Sequence, residues 1–122
     1  MADGYWSREQ ARWVDAKAIT LRASSQLSAT ANGATFFVGD RGTLRATLTA
    51  TAKSGTNPTL DVKVQTSYDD VTWRDVAAFT QLTNTGTERK SFTGLDKYVR
   101  IVSTLGGSST PTYTFSVVGD LV

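Results

Sequence analysis

The stretch Thr59–Ser67, TLDVKVQTS, alternates strictly, with Leu60, Val62 and Val64 on one side and Asp61, Lys63 and Gln65 on the other. Successive side chains of a β-strand point to opposite faces, so this pattern fits an extended segment with one face buried and one wet. The same period recurs along the chain. In AITLRAS (Ala18–Ser24), Ile19, Leu21 and Ala23 share a face against Thr20 and Arg22. In TLRATLTAT (Thr43–Thr51), Leu44, Ala46, Leu48 and Ala50 oppose Thr43, Arg45, Thr47 and Thr49. KYVRIVS (Lys97–Ser103) brings Val99 and Ile101, and TYTFSVV (Thr112–Val118) brings Tyr113, Phe115 and Val117. Shorter candidates lie at Thr35–Val38, Ala77–Leu82 and Glu88–Phe92.

Turn chemistry separates these runs: Asn32-Gly33, Gly39-Asp40-Arg41-Gly42, Ser54-Gly55-Thr56-Asn57-Pro58, Asn84-Thr85-Gly86 and Gly106-Gly107. Glycine reaches positive φ without steric cost, and asparagine and aspartate tolerate it. Seven or eight short strands punctuated in this way predict an all-β fold, an antiparallel β-sandwich or jelly roll. The many threonines suit a half-exposed pleated surface. With 122 residues, 39% hydrophobic and 20% charged, one domain with its own core is expected.

The residue inventory narrows the chemistry. There is no cysteine and no histidine. That removes disulfides, thiolate and imidazole metal sites, and the Ser-His-Asp and Cys-His nucleophile systems. The remaining acids fall beside turn residues or at outward strand positions, and LGGSS (Leu105–Ser109) lacks the lysine of a phosphate loop. No catalytic residue, cofactor or metal is assigned. The net charge of +2 is spread over scattered cations, with Arg89-Lys90 the one tight pair, so a nucleic-acid partner is not expected. No apolar run reaches the ~18–20 residues of a membrane span. The N-terminus lacks the apolar centre of a signal peptide, so synthesis in the cytoplasm without export is the expectation.

Residues 1–16 break the period and are read as an N-terminal arm ahead of a sandwich domain at 17–122. Ser7-Arg8-Glu9-Gln10 has the form of a capping box, which predicts one or two helical turns through Asp15. Trp6 and Trp13 are costly to leave exposed. They pack either on the domain's own sheet or on a partner, with Arg8 and Arg12 beside them in the second reading.

Ser67–Phe79, SYDDVTWRDVAAF, crowds Tyr68, Trp73 and Phe79 around Asp69, Asp70 and Asp75. Three readings are open. A hairpin turn would use Asp69-Asp70 for left-handed backbone and set Trp73 near Tyr68 or Thr66 across the strand pair. A sugar platform would need Tyr68 and Trp73 exposed and coplanar. A calcium loop would need more oxygen ligands than three aspartates give. The turn reading is preferred, with Asp69, Asp70 and Trp73 in structural roles.

The same residues carry a resemblance. Ser67, Asp69, Asp70 and Trp73, then Phe79-Thr80, then Tyr98-Val99-Arg100, then Gly106-Gly107 and Pro111–Val118 resemble short structural proteins of tailed bacteriophages. The likeness covers about the C-terminal half, and Asp70 stands where glycine is frequent. It implies a virion component, a capsid decoration (cement) protein or the base of a head spike. It further implies a homotrimer on the capsid exterior that binds the major capsid protein. A carbohydrate-binding or fibre module and another neck or tail subunit are the alternatives.

Overall fold

In a computed structural model that describes the backbone of residues 4–7 and 12–15 and all atoms from Ala16 to Val122, nine strands follow one another along the chain. They are β1 (Gly4–Ser7), β2 (Arg12–Asp15), β3 (Lys17–Leu27), β4 (Ala31–Asn32), β5 (Phe36–Phe37), β6 (Leu44–Ser67), β7 (Trp73–Ala78), β8 (Gly86–Phe92) and β9 (Tyr98–Leu121). Strands β6 and β9 are 24 residues each and pair antiparallel from Leu44↔Leu121 to Ser67↔Tyr98. This long ribbon organises everything else.

Each half of the ribbon collects its own outer strands. Where β6 runs through 44–54 and β9 through 112–121, β8 adds on the β6 side and β3 on the β9 side. The resulting order is β3-β9-β6-β8. Where β6 runs through 59–67 and β9 through 98–106, β7 adds beside β6, and β4 and β5 add beside β9. All these pairings are antiparallel. The sheet is continuous through the ribbon, but it curls so that its two halves form the two layers of a sandwich around one core. With β4 and β5 counted as one interrupted strand along β9, eight strand segments paired in this way make a jelly roll.

The sequence predicts turns at Ser54–Pro58 and Gly106-Gly107; the structure instead passes straight through both. They face each other across the ribbon, with register shifts between Ser54 and Thr59, and they form its corner. Strands that move from one layer to the other do so at bulges and bends. The turn-forming residues supply the required backbone: Gly55, Asn57, Gly107, Ser109 and Thr110 all have positive φ. Gly55 is also held by space, since a Cβ there would lie 2.7 Å from Pro111 Cα. A local signal for positive φ suggests a reversal because reversals are its commonest use; here the same backbone turns a corner.

The period-two faces become the core. Leu44, Ala46, Leu48 and Ala50 from one half of β6, and Leu60, Val62 and Val64 from the other, join Val99, Ile101, Tyr113, Phe115, Val117 and Leu121 of β9 in one buried cluster. Burying each large apolar side chain contributes about 1.5–3 kcal/mol. Phe79, just after β7, and Phe92, at the end of β8, meet edge-on at 5.2 Å and tie the two layers together. The buried Tyr113 hydroxyl lies 3.3 Å from the Leu82 carbonyl and 3.4 Å from that of Pro58, so its one polar atom is not stranded.

Three expectations need correction. Arg12–Asp15 is not helical but a strand paired with Gly4–Ser7, with Trp6 opposite Trp13; Arg8–Ala11 lie outside the described residues. A two-turn helix is too short to sustain itself, while Tyr5, Trp6, Trp13 and Val14 favour strands. Arg22 does not share the wet face with Thr20. Register shifts on both sides of it bring its guanidinium 4.4 Å over the Phe115 ring, and burial pulls its pKa down. Finally, β7 ends at Ala78, and Leu82 makes only a single bridge, to Leu60.

Candidate interaction surfaces

The connection from β6 to β7 is a turn locked by one carboxylate. Asp69 Oδ1 accepts hydrogen bonds from the amides of Thr72 (2.8 Å) and Val71 (2.9 Å), and from the Ser67 hydroxyl (2.9 Å). These donors, the Thr72 amide first, hold the Asp69 pKa down to about 2 from the ordinary 3.8. Asp70 follows in left-handed backbone, φ 61°, as expected of aspartate. A carboxylate whose folded pKa is depressed stabilises the fold above its unfolded pKa, and that contribution is lost as pH falls towards about 2. Asp69→Asn is therefore expected to lower the urea midpoint at pH 6 and to converge on the parent chain near pH 2. Equal differences at both pH values would show that the charge contributes nothing.

Trp73 stands opposite Ser67, not Thr66 or Tyr68, and is half-buried. The guanidinium of Arg100, on β9, lies 4.3 Å over its ring. Arg100 Nε also donates to Gln65 Oε1 (2.8 Å), and Gln65 Nε2 donates to Asp75 Oδ1 (2.8 Å). Lys63 pairs with Asp75 at 3.2 Å. The Gln65 amide and then Lys63 lower the Asp75 pKa. The outer face of this layer is thus a row of mutually paired polar groups ending on Trp73, one ring face of which is taken by Arg100. Across the same end of the layer, Phe37 meets Tyr98 edge-on at 5.4 Å and remains 61% exposed. Tyr68 and Val71, in the turn, are 71% and 78% exposed.

The ligands for a calcium loop do not converge. Among the described residues no group of three or more Asp and Glu side chains could hold a metal ion, and the Asp69 carboxylate is spent on its own turn. Asp75 is drawn to Lys63 and Gln65 instead.

The outer face of the other layer contains a hollow of about 770 Å³. Two rows cross it in register. One runs Thr20, Val118, Thr47, Arg89, and the other Ala18, Asp120, Arg45, Ser91. Arg45 and Asp120 pair at 3.3 Å, whereas Arg89 makes no ion pair among the described residues. Gly119 adds bare backbone: a Cβ there would overlap the Arg45 carbonyl, so β6 and β9 approach closely only because no side chain intervenes. Val118, 41% exposed, is the apolar centre.

The sequence-predicted partner residues divide. Trp6, Arg12 and Trp13 belong to the β1–β2 pair, their side chains lie outside the described residues, and Arg8 does so entirely. Asp69, Asp70 and Trp73 are brought together at one turn. The hollow escapes sequence reasoning because its lining comes from four strands far apart in the chain; the Arg89-Lys90 pair is its one local sign. Phe37 escapes it because a strand this short does not say which of Phe36 and Phe37 faces outward.

No protein-family profile matches the chain, and no curated protein matches it. Among solved structures it is similar to a chain in the structure of infectious bursal disease virus Gx strain, with a TM-score of 0.55 and 15% identity over 98% of this chain and 38% of that one. It is also similar to a chain in the structure of the Gt strain of that virus, with a TM-score of 0.50 and 17% identity over 99% and 36%. The protein therefore spans less than two-fifths of the length of those viral chains. At these identities the likeness is one of fold.

Proposed function

We propose that the protein is a non-enzymatic structural component of a virus particle, a decoration protein seated on the exterior of the assembled capsid shell as a homotrimer. The observation that carries this reading is the jelly roll matched along 98% of the chain to part of a chain from a virus structure. The phage-like motifs of the C-terminal half and an inventory without histidine or cysteine support it. A fold alone hosts many functions, so the weight falls on the combination. The partner is the major capsid protein, and the N-terminal arm with Trp6, Arg8, Arg12 and Trp13 makes the docking contact after synthesis in the host cytoplasm.

The physical logic is linkage. A small rigid domain that binds neighbouring shell subunits only when they are assembled stabilises the assembly by its binding free energy. Repetition at symmetry-related positions lets an interface of about 1,000 Å² or more serve. Co-sedimentation with phage heads tests the reading, with light scattering for the mass of the free protein. A three-chain mass and pelleting with heads are expected. A monomer that stays in the supernatant would overturn it, and pelleting with isolated tails instead would move the protein to the neck or tail.

A further inference from the structure

The two surfaces above complement each other. The β6–β7 turn presents exposed Tyr68 and Val71 flanking the Asp70 carboxylate, which makes no ion pair among the described residues. The hollow presents exposed Val118 and Ala18, with the Arg89 guanidinium, which makes no ion pair among the described residues, beside them. An apolar pair beside an acidic side chain matches an apolar centre beside a basic one. We infer that the turn Tyr68–Val71 of one copy docks in the hollow on the first layer of a second copy, with Asp70 facing Arg89.

Size and rigidity agree with this. The hollow crosses four strands, about 14 Å at ordinary strand spacing, and the short connection closed by the Ser67–Trp73 pair, whose ends lie about 4.5–5.5 Å apart as in any antiparallel pair, fits that width. The turn is ordered before binding, because Asp69 already ties the Val71 and Thr72 amides and the Ser67 hydroxyl. A pre-ordered loop loses less entropy on docking. Within one chain the turn closes the second layer at Ser67, while the hollow opens on the outer face of the first layer around Arg45–Thr47, so the contact is one between copies.

The two patches differ, so the contact is head-to-tail. Repeated, it closes into a ring if the rotation allows and otherwise grows. This gives the oligomer of the proposed function a contact, and its test reads self-association alone, so failure to bind shells does not bear on it.

Sedimentation velocity over a concentration series decides it, using the full chain and the single variants Asp70→Arg, Tyr68→Ser and Arg89→Glu. Tyr68 is outside the left-handed region, so Tyr68→Ser separates loss of contact from backbone strain at Asp70. Each single variant is expected to weaken self-association about tenfold or more, and the double variant Asp70→Arg/Arg89→Glu to regain most of it. A parent chain that stays monomeric at every concentration would overturn the inference. So would a double variant no better than the singles, or loss with Arg89→Glu and not with the turn variants, which would mean another occupant of the hollow.

Discussion

Phe92→Ala is expected to unfold about 10–20 °C below the parent chain, while Phe37→Ala unfolds within a few degrees of it. Phe92 is 1% exposed and meets Phe79 edge-on between the layers, whereas Phe37 is 61% exposed. Truncating a buried phenylalanine removes its transfer free energy and leaves a cavity, together about 3–5 kcal/mol. In a domain of this size each kcal/mol shifts the midpoint by about 3–5 °C. Because the whole fold is expected to be stable by only about 5–15 kcal/mol, Phe92→Ala removes a large share of it. The measurement is thermal unfolding followed by circular dichroism. Equal shifts for the two variants would contradict the assignment of Phe92 as the link between layers.

Removal of residues 2–16 is expected to abolish shell binding and leave the jelly roll folded. The core cluster is built from Leu21 onward, with Ile19 packed against it, and β3, which begins at Lys17, is paired along β9. The β1–β2 pair makes its own two-stranded sheet, separate from the seven-stranded one. Losing it should therefore cost the domain little stability. The truncated protein's unfolding midpoint and its co-sedimentation with heads give the two readouts. Shell binding retained by a folded truncation would remove the arm from the docking role and point to the surfaces of the sandwich instead.

How much is legible in the sequence depends on the range over which each signal acts. The face that Leu60, Val62 and Val64 bury follows from alternation alone, and so does that of Leu44, Ala46 and Leu48. Asp70 reads as a left-handed residue from its type, and it is one. Alternation puts Arg22 on the wrong face because a bulge, which needs a neighbouring strand to define it, changes the phase of the pattern. The Arg100–Trp73 stack and the hollow beneath Arg89 depend on register between strands distant in sequence, which no local pattern specifies.

The candidate site shows the same division. The turn at Asp69 and Asp70 is local: an aspartate can bond amides two and three residues ahead, whatever the rest of the chain does. Its exposure is not local, and neither is that of Tyr68 and Val71, since both depend on where the end of β6 lies in the finished sandwich. Likewise, positive φ at Gly55, Asn57 and Gly107 is legible, but whether the chain reverses there or turns a corner is not.

By itself, then, the sequence determined that this chain is extended, which side of each strand is apolar, and where the backbone must leave ordinary φ. Those are properties of a residue and its near neighbours, set by side-chain alternation and steric limits on the backbone. Only the tertiary structure decided that β6 and β9 run unbroken through both layers, and that the turn and the hollow end up on separate surfaces. Those outcomes rest on pairings as distant in the chain as Leu44 with Leu121, where burial of a shared core selects one register among many.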